Sequence, residues 1–234
     1  LLAIQAAELA KKINFKKGEA DAYHNCVVGY GVKGDYNKSL EFNFKTLKIR
    51  EELGDKKGMA SSYNAIGIIY DLLGETDKAM EFFFKSLKIK EEIGDKKGMI
   101  APLMNIGSIY YKKGDYDNAM DIDLKSLKIS EEYRDTKSIA NGYDNIGTLY
   151  QEKGDDDKAL EYYFKAVKLY KEIGDKFYIS VHGIIHTGVN ISHLCISFDL
   201  FEGITGSGEP HIEIEINAGL TRLITLADIV LCKC

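Results

Sequence analysis

The sequence predicts an all-α fold, a solenoid of stacked helix pairs. A forty-residue block recurs along most of the chain, and within each block apolar residues return at helical spacing between glycines. Only two prolines occur in 234 residues, so long helices run unbroken. With 45% hydrophobic residues, the chain has enough apolar content for a real core, which excludes a disordered polymer.

The elements follow in order. Residues 1–13 fit the second half of a repeat. The first full copy starts at Asn14 and reads NFKKGEADAYHNCVVGYGVKGDYNKSLEFNFKTLKIREEL. Further copies begin at Gly54, Gly94 and Arg134, so that the array spans 1–178. Gly34, Gly74, Gly114 and Gly154 hold the register, together with Tyr30, Tyr70, Tyr110 and Tyr150. In the second copy Tyr63, Ile66, Gly67 and Tyr70 share one helical face, and Gly74 stops that helix. Thr76 or Asp77 is the expected cap of the next helix, where Ala79, Phe83, Ser86 and Leu87 form the inward face. The small Gly67, Ala79 and Ser86 let the helices approach, and the large Tyr63, Ile66, Tyr70 and Phe83 fill the space between them.

This pattern resembles the tetratricopeptide repeat: an aromatic or Leu, then Leu-Gly, Tyr, Ala, an aromatic and Ala. The matching residues are Tyr63, Ile66-Gly67, Tyr70, Ala79, Phe83 and Ser86 in the second copy. In the fourth they are Tyr143, Ile146-Gly147, Tyr150, Ala159, Tyr163 and Ala166. The third copy has Asp123, and the first Asn43, where the aromatic belongs, which predicts local shifts in packing. The repeats are similar to the forty-residue variety found in kinesin light chains and bacterial signalling proteins. The resemblance implies a right-handed superhelix, with the first helix of each pair on the concave side.

On the outer helices Glu41–Lys45, Glu81–Lys85, Asp121–Lys125 and Glu161–Lys165 stand four apart, acid first. That order suits a solvated helix face, at about 0.3–0.5 kcal/mol per pair. The inner stripe is expected to hold Asp21, His24, Asn25 and Val28 in the first copy, and Ser61, Asn64, Ile68 and Asp71 in the second. The third adds Met104, Asn105, Ser108 and Tyr111, and the fourth Asn141, Asp144, Asn145, Thr148 and Gln151. Asn25, Asn105 and Asn145 fall at one repeat position, which Ala65 interrupts. An amide both donates and accepts, so such a row can pair with the backbone of an extended peptide. The resemblance implies this use at those three positions. The alternative is that these amides bond within the helix pairs or to water.

After residue 178 the composition changes. Residues 179–234 hold four of the five histidines, three of the four cysteines and only two of the 31 Lys and Arg. HIEIEI (211–216) alternates like a strand, and LTRLITLADIVL (220–231) fits strand or helix. This tail is a cap, the start of another domain, or a segment read out of its native frame. In the last case the encoding DNA in another frame continues the repeat.

Chemistry-bearing motifs are weak. His182 and His186 have the spacing of two metal ligands but lack the zincin glutamate between them, and Cys232-x-Cys234 is not a zinc-knuckle spacing. Gly203–Gly208 lacks the Lys and Ser/Thr of a phosphate loop. Cys26 reads as a buried hydrophobe, and His24 has no nucleophile beside it. No cofactor, no metal and no enzymatic activity are expected.

The net charge of −5 gives no general attraction for nucleic acid, and no apolar run reaches the roughly 18 residues of a membrane span. Four scattered cysteines fit reduced thiols and a cytoplasmic setting. The opening LLAIQAAELAKKI lacks a secretory signal and reads as the interior of something longer. The expected function is a protein–protein interaction scaffold that takes a peptide or partner helix in its concave groove. The alternative is a sensory module of a larger signalling enzyme, such as a histidine kinase or nucleotide cyclase. Self-association through an uncapped end of the stack is a further expectation.

Overall fold

The computed structural model describes residues 2–174 in full and, beyond them, the backbone of four short strands. Helix α1 spans Leu2–Lys12, and four antiparallel pairs follow. They are α2 (Lys16–Val32) with α3 (Tyr36–Glu52), α4 (Lys56–Leu72) with α5 (Thr76–Glu92), α6 (Ile100–Lys112) with α7 (Tyr116–Glu132), and α8 (Thr136–Glu152) with α9 (Asp156–Glu172). Each pair packs on the next, giving an α-solenoid within the first of two compact units, residues 1–196.

A single dipeptide makes most of the turns. Gly54 adopts φ +65°, its N–H bonds to the Glu51 carbonyl at 3.0 Å, and the Asp55 N–H bonds to the Arg50 carbonyl at 2.9 Å. This closes the end of α3 as a Schellman motif. The Asp55 carboxylate then accepts the Gly58 N–H at 2.9 Å and caps α4. Gly34-Asp35, Gly114-Asp115 and Gly154-Asp155 repeat the arrangement.

Three elements depart from the sequence expectation. Thr76 and Asp77 do not cap α5: Glu75 stands at the N-cap and makes no capping bond. Its longer carboxylate extends outward to pair with Lys78. Arg134 rather than glycine holds the left-handed turn, at φ 52°. The helix of the third repeat does not start like the others, because a 3-10 turn at Lys97–Met99 precedes α6. Pro102 lies in the first turn of α6 and has no N–H to donate to that turn.

The core alternates small and large residues. A Cβ built on Gly67 would meet the Phe83 ring at 2.6 Å, and one on Gly147 would meet the Tyr163 ring at 2.9 Å. Glycine there is therefore a packing requirement. In the first repeat Val27 stands where Gly67 does, and the facing residue shrinks to Asn43. Between α5 and α6, Phe83, Leu87, Leu103, Ile106 and Ile109 form the largest buried cluster. Fully burying one such side chain stabilises by about 1.5–3 kcal/mol. Ser86 Oγ donates to the Ala60 carbonyl at 2.7 Å, so its small size serves close approach and its hydroxyl is satisfied.

On the outer helices Lys45, Lys85 and Lys165 pair with Glu41, Glu81 and Glu161 as expected. Lys125 does not pair with Asp121. It reaches Glu91 on the preceding outer helix at 3.5 Å. The other three lysines also lie over rings, Lys45 over Phe42 at 4.8 Å, Lys85 over Phe82 at 4.7 Å and Lys165 over Tyr162 at 4.6 Å. In the third repeat that ring is replaced by Ile122, so nothing holds Lys125 over its own helix.

Beyond the helices, β1 (Ile179–Ser180) pairs antiparallel with β2 (Cys195–Ile196). The second unit, residues 197–234, contains β3 (His211–Ile216) paired antiparallel with β4 (Leu220–Thr225). The alternating HIEIEI run is thus a strand, and LTRLIT takes the strand option. The candidate ligands His182, His186, His193, Cys195, Cys232 and Cys234, and the Gly203–Gly208 loop, lie outside the residues whose side chains are described.

Candidate functional site

Successive first helices touch along one side of the stack. Asn105 Nδ2 on α6 donates to Asn64 Oδ1 on α4 at 3.1 Å. Tyr111 Oη on α6 donates to Glu152 on α8 at 2.9 Å, and Lys112 pairs with Asp71 at 2.7 Å. These contacts line the inner stripe read from the sequence. They also place the amides in detail. The Asn64–Asn105 bond uses one donor and one acceptor. Asn64 Nδ2 and Asn105 Oδ1 have no protein partner among the described residues, and both side chains are only half-buried.

The other stripe residues divide. Asn25 and Ile68 are exposed, and Ser61 is exposed with its hydroxyl on the Lys57 carbonyl at 3.1 Å. Met104 is half-buried against the central cluster, and Ser108 is half-buried. Thr148 Oγ1 donates to the Asp144 carbonyl at 3.0 Å and accepts from Tyr163 Oη at 3.2 Å. Asn141 turns away towards α9, where its Oδ1 accepts from Tyr170 Oη at 2.5 Å. Asn145 Nδ2 donates to Asp123 Oδ1 at 3.4 Å. Two of the three same-position amides, Asn105 and Asn145, therefore have side-chain partners inside the stack, and Asn25 has none.

Sequence reading noted Asp123 only as a missing aromatic. It is 3% exposed and lies against Gly107, whose absent Cβ would sit 2.4 Å from Asp123 Oδ1. Burial pushes its carboxyl up to about 7, against the smaller opposing effect of the Asn145 hydrogen bond. Asp144, on the stripe itself, is pushed up to about 6 by burial. Burial, together with the hydrogen bond to Glu152, raises the Tyr111 hydroxyl to about 12. The first helices of repeats three and four thus carry amides, hydroxyls and the reluctant carboxyl of Asp144, and Asp123 is buried behind them on α7. His24 is half-buried, and its imidazole is lowered by burial and then by Arg50. Cys26 is buried, and burial raises its thiol, so it is a core residue rather than a nucleophile.

Among the described residues no three His, Cys, Asp or Glu side chains are grouped to hold a metal ion. No described helix is long and apolar enough to cross a membrane.

The family profile described as tetratricopeptide repeat matches residues 18–92 and 98–172. A search of curated proteins found no match. Solved structures do match. BtubC (BKLC) from P. vanneervenii is similar at a TM-score of 0.61 and 20% identity, over 77% of this chain and 71% of that one. A Rap protein complexed with Competence and Sporulation Factor is similar at 0.61 and 15% identity, over 68% of this chain and 45% of that one. A Signal Transduction ATPase with Numerous Domains from Pyrococcus horikoshii, carrying a tetratricopeptide repeat sensor, matches at 0.61 and 20% identity, over 74% of this chain and 30% of that one. At these identities the likeness is one of fold.

Proposed function

We propose, from the premise that this chain belongs to the tetratricopeptide repeat family, that it is a non-enzymatic scaffold binding an extended peptide or partner helix along its concave side. The observation that carries the reading is the Asn64–Asn105 bond. It fixes two amides across adjacent repeats and leaves one donor and one acceptor of the couple unused on the inner stripe. A peptide backbone offers the complementary pair at each residue, so the amides grip it whatever its side chains. Asn145, Ser108 and Thr148 extend the same polar strip, and Met104 and Ile68 supply apolar contacts. The similar Rap protein was solved with a bound factor, which supports a groove of this kind here.

The test is a pull-down with wild type and an Asn105→Ala/Asn145→Ala variant, followed by affinity measurement on the captured partner. The variant is expected to bind about 1–3 kcal/mol more weakly. Unchanged affinity for the same partners would sink the reading.

A second reading has the array as the sensor of a larger signalling protein. The likeness to an ATPase described as carrying a tetratricopeptide repeat sensor supports it. The full open reading frame decides between the two: a catalytic domain beyond residue 234 or before residue 1 supports the sensor, and its absence supports a free-standing scaffold.

A further inference from the structure

The outer helices carry a second surface, independent of the groove. At one position in every repeat a large apolar side chain is left exposed: Phe44 41%, Phe84 42%, Leu124 43% and Phe164 38%. One helical turn later stands a lysine each time, Lys48, Lys88, Lys128 and Lys168, all exposed. Residues four apart share a helix face, so each couple forms one patch. Adjacent outer helices meet: Phe44 contacts the Phe82 ring edge-on at 6.1 Å, and Lys125 reaches Glu91. The patches of α3, α5 and α7 therefore adjoin, and α9 repeats the same couple.

These lysines differ from their neighbours. Lys45, Lys85, Lys125 and Lys165 are each paired with an acid. Several acids nearby are engaged as well. Glu52 pairs with Lys16, Glu92 with Lys56 and Glu132 with Lys96, while Glu51 and Glu131 accept from Tyr63 and Tyr143. Lys48, Lys88, Lys128 and Lys168 make no ion pair or hydrogen bond among the described residues. In a chain of net charge −5, a row of cations without ion pairs thus stands beside the apolar side chains. A cleft of about 420 Å³ opens at Lys128, lined by Glu91 and Glu132 as well as by Lys96, Lys125, Met99 and Ile129.

We propose that this outer stripe docks an acidic amphipathic helix of a partner protein, lying along the stack across α3, α5, α7 and α9. A helix carrying acids beside apolar residues along one face meets one lysine and one apolar side chain in each repeat. Charge complementarity selects the partner, and apolar contact holds it.

The probe is a synthetic helical peptide of four heptads, about 28 residues, with Leu and Glu each recurring every seventh residue. It is labelled with fluorescein and titrated with the full chain by anisotropy. Wild type is expected to bind, more weakly at high salt. Lys48→Glu/Lys88→Glu/Lys128→Glu/Lys168→Glu is expected to lose at least about tenfold in affinity and to regain it with a peptide carrying Lys for Glu. Phe44→Ser/Phe84→Ser/Phe164→Ser is expected to lose affinity while keeping the salt dependence. Helical circular dichroism of each variant checks folding, and failure of the Lys→Glu variant to fold leaves Lys→Gln as the readout. The proposal is overturned if wild type does not bind the peptide, or if wild type and the lysine variants bind it equally. It is also overturned if vesicles of phosphatidylserine and phosphatidylcholine sediment the chain while the peptide fails to compete.

Discussion

Asn145 Nδ2 lies 3.4 Å from Oδ1 of Asp123, and Asp123 occupies the position that Phe83 and Tyr163 fill in the flanking repeats. A carboxylate has replaced a buried ring, with one long amide bond as its support. Burial makes that charge costly, and its titration should govern how stability responds to pH.

The sign follows from the direction of the shift. In the folded chain the Asp123 carboxyl is raised to about 7 from an ordinary 3.8, so the native state holds the proton more tightly than the unfolded one. The Asp123 contribution to stability is therefore full below about pH 4 and is lost as pH rises towards 7, by up to roughly 4 kcal/mol. Asp144, raised to about 6, adds in the same direction. Asp35, Asp77 and Asp117, held below their ordinary value first by hydrogen bonds from lysines, act below that window. Urea unfolding at pH 5 and pH 8 should give a higher midpoint at pH 5, and Asp123→Asn should reduce the difference. An equal midpoint in wild type at both values would refute the account.

Asn43 poses the opposite problem. It is fully buried, and neither its Nδ2 nor its Oδ1 has a hydrogen-bond partner among the described residues. An unpaired buried amide costs about 1–3 kcal/mol, and leucine has nearly the same shape. Asn43→Leu should raise stability by that order, read as a shift in urea midpoint at constant slope. A loss of stability would mean that the amide is satisfied by an ordered water.

Much of this architecture was legible in the sequence because the repeat shows the same side chains in the same roles. Gly34, Gly114 and Gly154 announce helix ends, whereas the capping role of the aspartate after each emerges only in the structure. What stayed hidden depends on neighbours outside the local window. Lys125 leaves Asp121 because Ile122 offers no ring, and the residue it finds, Glu91, is 34 positions away. The Asn64–Asn105 bond joins two different repeat positions, so a search for one repeating asparagine misses it. Asn141 has the spacing of a groove residue, yet Tyr170 draws it to the outer helix.

Glycine positions separate by what faces them. A Cβ on Gly67 would meet the Phe83 ring at 2.6 Å, whereas one on Gly29 would meet nothing within 4 Å. Gly67→Ala should destabilise by about 1–3 kcal/mol through overpacking. Gly29→Ala, in the exposed interior of α2, should stabilise by about 0.5–1 kcal/mol through backbone entropy. Thermal unfolding of the two variants side by side tests the contrast, and the same sign in both would contradict it.

Arg134 is the last test, because it breaks the rule of the turns. It holds φ 52° at the repeat position where Gly54 and Gly94 stand in the neighbouring copies, and Asn14, at φ 56°, is the other non-glycine there. The left-handed conformation places Cβ against the following carbonyl oxygen, at a cost of about 1–2 kcal/mol that glycine avoids. The backbone bonds of the turn are intact: the Arg134 N–H reaches the Glu131 carbonyl at 3.1 Å and the Asp135 N–H the Ser130 carbonyl at 2.9 Å. The strain is thus confined to one side chain and is not shared with a distorted turn. Arg134→Gly should raise stability by about 1 kcal/mol, less the entropy glycine adds to the unfolded chain. Equilibrium urea unfolding measures it. A neutral or lower midpoint would mean that the arginine makes contacts worth as much as the strain it imposes.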